Sequence, residues 1–165
     1  MAGYKGHIAG AVGINSVYIL TLSFLPINIF AHTGGLFAQW QFIAALFIVA
    51  MLFGLWPDID TNSKGQDIFF SLAFICNVLL ILNGYLEASA YLGLMAMTPI
   101  IGKHRGWTHS KIAMLVIPAP LVIVSYIYRP QMLPTALIIY GAAVAGYFSH
   151  LLLDGLITKL IRVKT

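Results

Sequence analysis

The chain has 165 residues, of which 60% are hydrophobic and only 8% are charged, and its formal net charge is +4. A soluble domain carries roughly 25% charged residues, so this composition cannot cover a surface that faces water. The mean hydropathy of +0.91 fits a protein whose outer solvent is lipid. The positive charge is not gathered in a run, so no nucleic-acid partner is expected. The length predicts a single integral membrane domain over residues 1–165.

Apolar runs between polar residues, glycine or proline predict an all-α, polytopic transmembrane bundle with about six spans. The spans cover residues 7–28, 39–56, 67–83, 86–101, 110–128 and 134–153. About 20 apolar residues normally cross a bilayer, so the third and fourth segments are short. The alternative for these two segments is a short helical hairpin.

Six crossings place both termini and the loops at 56–67 and 102–110 on the same side of the membrane. Eight of the nine cations fall on this side, and only Arg129 lies opposite. By the positive-inside rule this side is cytoplasmic, and so are both termini. The same topology brings four separate segments with ionisable residues to one face: His7, Asp58, Asp60, His104, His109, His150 and Asp154. His32 and Glu87 are predicted on the opposite side and are interpreted as loop residues.

The Pro-Asp-Ile-Asp sequence at 57–60 follows the second span. Pro57 is expected to end the helix, and in an extended segment Asp58 and Asp60 would point the same way, as paired oxygen ligands for a cation. Taken alone, a solvated turn that stops the helix is the better interpretation of this motif.

The sequence His-Arg-Gly-Trp-Thr-His-Ser at 104–110 precedes the fifth span. Its two histidines can converge on one ion across a loop-to-helix junction, and Arg105 suits a phosphate or carboxylate. Thr108 or Ser110 is suited to N-cap the fifth helix. The alternative for this segment is simple anchoring at the membrane interface.

His150 and Asp154 are four residues apart, on a helical stripe that continues back through Gly146 and Ala142. Small residues mark close helix packing, so the pair is predicted to point into the bundle. There an ionisable residue is costly unless it is paired, hydrated or bound to a metal.

His7 opens the first span among glycines. The spacing of Gly3, Gly6, Gly10 and Gly13 predicts a glycine face that presses the first helix against a neighbour and brings His7 inward. Taken alone, His7 is better interpreted as an ordinary residue of the membrane interface.

Together the four histidines and three aspartates suffice for a divalent metal centre, predicted to hold two ions with Asp58 or Asp60 as the bridge. Zinc is the preferred ion, and manganese and iron are alternatives. Cys76 is the only cysteine, which excludes an internal disulfide and a thiolate cluster.

The order of His7, PDxD at 57–60, HRGxTHS at 104–110 and SHLLLD at 149–154 resembles the YdjM-like family of LexA-regulated, inner-membrane-associated metal-dependent hydrolases. The resemblance extends over nearly the whole chain. It implies a multi-pass protein of the inner membrane with a distant likeness to zinc-dependent phospholipases C and single-strand nucleases. It also implies that the seven histidines and aspartates are metal ligands.

The function predicted on this basis is hydrolysis of a phosphoester, such as a phospholipid head group, at the cytoplasmic membrane face. Metal ions would activate water, Asp58 and Asp60 would take part in catalysis, and Arg105 would neutralise charge on the phosphate. Thr108 and Ser110 would orient the ligands. Two alternatives stay open at this point: a transporter of metal ions or protons, and a non-catalytic membrane adaptor with a structural metal site.

Overall fold

The structure is a computed structural model that describes residues 3–24, 35–59, 64–101 and 107–155, with the side chains of 99–101 excepted. Within these ranges all regular structure is helical, which confirms the predicted fold class. The α-helices in chain order are α1 Tyr4–Phe24, α2 Trp40–Leu55, α3 Lys64–Leu82, α4 Leu86–Ile101, α5 Lys111–Val116, α6 Pro120–Tyr128 and α7 Leu133–Leu153. Short 3₁₀ turns at Trp56–Asp58 and Pro130–Met132 extend α2 and precede α7.

Five of the described helical segments are long and apolar enough to cross a membrane, with α5 and α6 counting as the single segment Lys111–Tyr128. The remaining helix, α4, has 16 residues and a length of roughly 24 Å. It follows α3 through a tight turn in which Gly84 has a φ of 78°. Near its other end, the Met95 carbonyl accepts a hydrogen bond of 2.9 Å from the indole of Trp56. Thus α4 returns the chain to the level at which α2 ends, as a sixth antiparallel segment.

The fifth predicted span, 110–128, is interrupted between α5 and α6. Pro118 and Pro120 each remove a backbone N–H and clash with the carbonyl four residues earlier, which breaks the helix. Two tyrosine hydroxyls donate hydrogen bonds to backbone carbonyls that have no helical partner at the break. Tyr91 donates to the Ile117 carbonyl at 2.6 Å, and Tyr140 donates to the Leu115 carbonyl at 3.2 Å. The break is therefore compatible with a low-dielectric environment, in which unpaired backbone groups are costly.

Helices α1, α2 and α7 form the tightly packed part of the bundle, as their buried small residues show. A β-carbon on Gly146 would lie only 2.7 Å from the carbonyl carbon of Ala50, and one on Gly54 would lie 2.9 Å from the Ala11 side chain. Ala142 and Gly146 are both buried on α7, in line with His150. The predicted stripe of small residues on the last span is confirmed, and it brings α2 and α7 close together.

The predicted glycine face of the first span is wrong as a continuous face. A side chain on Gly10 would meet Leu153 and Ser149 of α7, whereas Gly3 and Gly13 have no neighbouring atom within 4 Å. The buried stripe of α1 consists of His7, Ala11 and Asn15 instead. This stripe faces inward because Ala11 fits against Gly54 and His7 meets two carboxylates of the neighbouring helices.

Aromatic side chains mark the two ends of the bundle. Trp40, Tyr85 and Tyr128 are more than half exposed at the end remote from the predicted site, and Trp107 is 37% exposed at the site end. Tryptophan and tyrosine concentrate where a membrane meets water. These positions place the ends of the helices at the two interfaces of the bilayer.

Candidate metal centre

Asp58 is held at the end of α2 by the 3₁₀ turn Trp56–Asp58. The sequence predicted an extended segment here, and this prediction is wrong for Asp58 and Ile59, since Ile59 has φ −74° and ψ −8°. The reason is that the fixed φ of Pro57 suits the first turn of a helical segment, so the chain continues in a tighter helix beyond α2. The indole of Trp56, fully buried and bonded to α4, anchors the turn.

His109 is positioned by the residues on either side of it. Ser110 N-caps α5, since its side chain accepts a 3.0 Å hydrogen bond from the backbone of Ala113. Thr108 is 1% exposed, and its hydroxyl lies 3.1 Å from Nδ1 of His109. The backbone carbonyl of Thr108 accepts a hydrogen bond from the hydroxyl of Tyr147 on α7. Thr108 thus orients the His109 ring, while Ser110 is engaged as a cap.

His150 lies near the end of α7 and its ring orientation is fixed by α2. Its Nδ1 lies 2.8 Å from the carbonyl oxygen of Gly54, and because a carbonyl only accepts, Nδ1 must donate. In the neutral ring Nε2 then carries the lone pair. An imidazole that donates its other N–H to a carbonyl is the usual arrangement of a metal-binding histidine.

Four side chains from α2, α7 and the start of α5 direct donor atoms toward one point: Asp58, His109, His150 and Asp154. These atoms all lie within 4.8 Å of one another, so the group could hold a metal ion. Nε2 of His109 lies 3.2 Å from Oδ1 of Asp58 and 3.3 Å from Nε2 of His150. Oδ2 of Asp154 lies 3.6 Å from Nε2 of His150 and 3.8 Å from that of His109.

These separations fit the chemistry of a small divalent cation. Tetrahedral ligands about 2.0–2.2 Å from zinc are separated from one another by roughly 3.4 Å. Five separations between donor atoms of the group, including 3.7 Å between Nε2 of His150 and Oδ1 of Asp58, range from 3.2 to 3.8 Å. Two imidazoles and two carboxylates are also a donor set that zinc, iron and manganese accept. The residues therefore fit a divalent metal without rearrangement of the helices.

His7 approaches the same two carboxylates from the other side. Its Nε2 lies 3.7 Å from Oδ2 of Asp58 and 3.7 Å from Oδ1 of Asp154, whereas His109 and His150 contact Oδ1 of Asp58 and Oδ2 of Asp154 at 3.2–3.8 Å. Its ring stacks on that of His150, with centroids 3.9 Å apart. The side chain is 2% exposed and neither ring nitrogen has a hydrogen-bond partner among the described residues. A buried imidazole without such a partner is costly, and a metal ion would relieve that cost.

Three side chains of the centre are buried and two are partly exposed. The side chains of His7, His150 and Asp154 are at most 2% exposed and form its floor. Those of His109 and Asp58 are 18% and 36% exposed and form its mouth. Among the described residues, the partly exposed donor atoms therefore lie at the end of α2 and in the segment before α5.

Of the residues predicted from sequence, the structure brings together His7, Asp58, His109, His150 and Asp154. Asp60, His104, Arg105 and His32 lie outside the described residues. Glu87 lies in the first turn of α4, away from the centre. Tyr147 and the Gly54 carbonyl, which support His109 and His150, are not recognisable from the sequence, because no local pattern predicts a contact between distant helices.

A match to a known protein family agrees with this membrane architecture. The family model described as YdjM inner membrane protein matches residues 5–163, nearly the whole chain. No curated protein and no solved structure gives a significant match. Together with the membrane-spanning helices, the family match assigns the chain to the inner membrane as a multi-pass protein. The chain belongs to the YdjM inner membrane protein family.

Proposed function

We propose that this protein is a metal-dependent hydrolase that cleaves a phosphoester at the cytoplasmic face of the inner membrane. The observation that carries the proposal is the donor geometry around Asp58 and Asp154. Each carboxylate directs one oxygen toward His109 and His150 and its other oxygen toward His7. This is the arrangement in which carboxylates bridge two cations, and paired cations are typical of enzymes that cleave phosphoesters.

The proposal includes two ions, with zinc preferred and manganese or iron as alternatives. His109, His150 and one oxygen from each aspartate would hold the first ion. His7 and the remaining two oxygens would hold the second, and Asp60 and His104 are proposed to complete its ligands. Bound ions would activate water as a nucleophile and neutralise charge on the phosphate.

The chain's own residues would orient the reaction. Gly54 fixes His150 through the 2.8 Å bond to Nδ1, and Thr108 fixes His109. This preorganisation means that the ligands need no reorientation when charge develops on the substrate. Asp58, the most exposed member of the centre, would face the incoming phosphoester, and Arg105 is proposed to stabilise the negative charge on its oxygens.

The depth of the centre supports a lipid head group as the substrate. Its members lie at the ends of α2 and α7 and directly before α5, and not in the middle of the bundle. Trp107, two residues from His109, is partly exposed and packs edge-on against Trp56 at 5.7 Å. Since exposed tryptophans concentrate at the level of lipid head groups, a membrane phosphoester would meet the mouth of the centre without leaving the bilayer.

The test combines metal analysis with a substrate panel. Purified protein in phospholipid nanodiscs would be assayed for divalent metal by mass spectrometry and for release of phosphate, lipid head group or p-nitrophenol, according to the substrate. The panel is phosphatidic acid, phosphatidylglycerol, p-nitrophenyl phosphate and bis-p-nitrophenyl phosphate. We expect Asp58→Asn and His150→Ala to lose both metal and turnover. Asp67→Asn is the matched control, because Asp67 is an exposed aspartate in the first turn of α3.

Two outcomes contradict the proposal in different ways. If both variants fold and keep the full metal complement, the shared centre is refuted. If the wild-type protein holds metal but releases no phosphate or head group from any substrate, the hydrolase is refuted and a structural metal site in an adaptor becomes the better account.

A further inference from the structure

A second feature, a cavity between the helices, lies apart from the side chains of the metal centre. Residues of α2, α3, α4, α6 and α7 enclose a lateral cavity of about 770 Å³, within the roughly 300–1,000 Å³ typical of ligand pockets. Its wall is mainly apolar, with Val49, Leu80, Leu92 and Leu121 among its members. An apolar space inside a membrane protein favours a hydrocarbon occupant over water.

The dimensions of the lateral cavity match one leaflet of the bilayer. It follows α4 from Leu86 to Met95 and α6 from Pro120 to Tyr128, a length of about 12–14 Å at the helical rise. The hydrocarbon core of a bilayer is about 30 Å thick. Along α4 and α6 the cavity therefore has a length close to the depth of one leaflet, and on α2 its lining reaches Leu52 and Phe53, near the end of that helix.

The charged lining residues of the cavity lie together at the end remote from the metal centre. Glu87 is in the first turn of α4 and Arg129 is the C-cap of α6, and both contribute to the lining. In the described part of the chain neither of them forms an ion pair. Asn83 adds an amide at the same level. A ligand with an anionic and a cationic group above a hydrocarbon chain complements this end.

We propose that the lateral cavity binds one acyl chain of a zwitterionic phospholipid from the leaflet remote from the metal centre. The lipid phosphate lies at Arg129, its ammonium group lies at Glu87, and the chain extends along α4 toward Met95. This site is independent of the proposed hydrolysis, because its ligand enters from the opposite interface and no described member of the metal centre lines the cavity.

Placing a bulky side chain in the cavity tests whether an acyl chain occupies it. Ala88 lines the cavity, whereas Ala90, two residues further along the same helix, does not, and both are exposed. The probe is spin-labelled phosphatidylethanolamine in phosphatidylcholine nanodiscs, and the readout is the number of immobilised lipids per chain. We expect Ala88→Phe to remove one immobilised lipid relative to wild type and Ala90→Phe to remove none. Equal numbers in wild type and both variants would overturn the proposal.

Head-group recognition is tested by competition between lipids in native mass spectrometry. We expect Arg129→Gln to weaken retention of phosphatidylethanolamine about fivefold, and Arg129→Lys to restore most of it. Retention of diacylglycerol, which lacks both charges, should be the same in all three proteins. Loss of both lipids to the same degree in Arg129→Gln would refute the head-group assignment. If the wild-type chain forms a dimer with the cavity at the interface, the occupant is a second copy of the chain and the proposed lipid is refuted.

Discussion

Substitution of Gly146 by alanine tests whether the close approach of α2 and α7 builds the metal centre. A β-carbon at this position would lie 2.7 Å from the carbonyl carbon and 2.8 Å from the Cα of Ala50. Carbon atoms pack at about 3.5–4.0 Å, so the helices must separate locally by roughly 0.7–1.3 Å. Backbone atoms cannot rotate away, so the separation has to come from movement of whole helices.

The displacement is large compared with what a metal site tolerates. Asp58 follows α2, and His150 is one turn beyond Gly146 on α7. Ligand distances in a working site hold within about 0.2 Å, so we expect Gly146→Ala to weaken metal binding at least about tenfold. We also expect a loss of stability of about 1–3 kcal/mol from overpacking.

The assay is metal titration of the purified, metal-stripped protein, with thermal unfolding in the same detergent. Gly13→Ala is the control, because Gly13 lies on α1 with no atom within 4 Å of the added methyl group. It should leave metal affinity unchanged and the melting temperature unchanged or slightly higher, since alanine favours the helix over glycine. A Gly146→Ala protein with wild-type affinity and melting temperature would refute the inferred packing.

Three further predictions follow from individual contacts. His7→Ala should lower the metal content by about one ion per chain and leave the ion between His109 and His150, because His7 faces the opposite carboxylate oxygens; retention of the full metal complement would contradict this in the metal analysis. Tyr91→Phe should lower the free energy of unfolding by about 1 kcal/mol, measured by denaturant titration, since the Ile117 carbonyl loses its donor; an unchanged value would refute the bridge across the helix break. Asn15→Leu should raise the melting temperature, because the buried amide has no hydrogen-bond partner among the described residues; a lower temperature would indicate that the amide is satisfied by a bound polar group.

Much of the site's location followed from sequence because it depends on topology alone. An even number of helical segments, with α5 and α6 counted as one, separates the segment at His7 from those at Asp58, His109 and His150, so all four arrive at one end of the bundle. The four-residue spacing of His150 and Asp154 placed both on the inner face of α7, because helical periodicity fixes that relation. The six helical segments were also predictable from the apolar runs in the sequence.

The features that the sequence did not predict depend on contacts between distant parts of the chain. The turn at Asp58 is helical because Pro57 fits a 3₁₀ segment anchored by Trp56. The inner face of α1 contains Asn15 and not Gly3 or Gly13, because packing of Ala11 against α2 decides the rotation of the helix. The break in the fifth span had a local signal in its two prolines, but the tyrosines that stabilise it come from α4 and α7.

X-ray absorption spectroscopy at the edge of the bound metal tests the central claim most directly. The proposed centre predicts a first shell of nitrogen and oxygen without sulphur, outer-shell scattering from imidazole rings, and a metal–metal distance of about 3.5–4 Å. Sulphur ligands, an absence of imidazole scattering, or a protein that binds no divalent metal after reconstitution would contradict it.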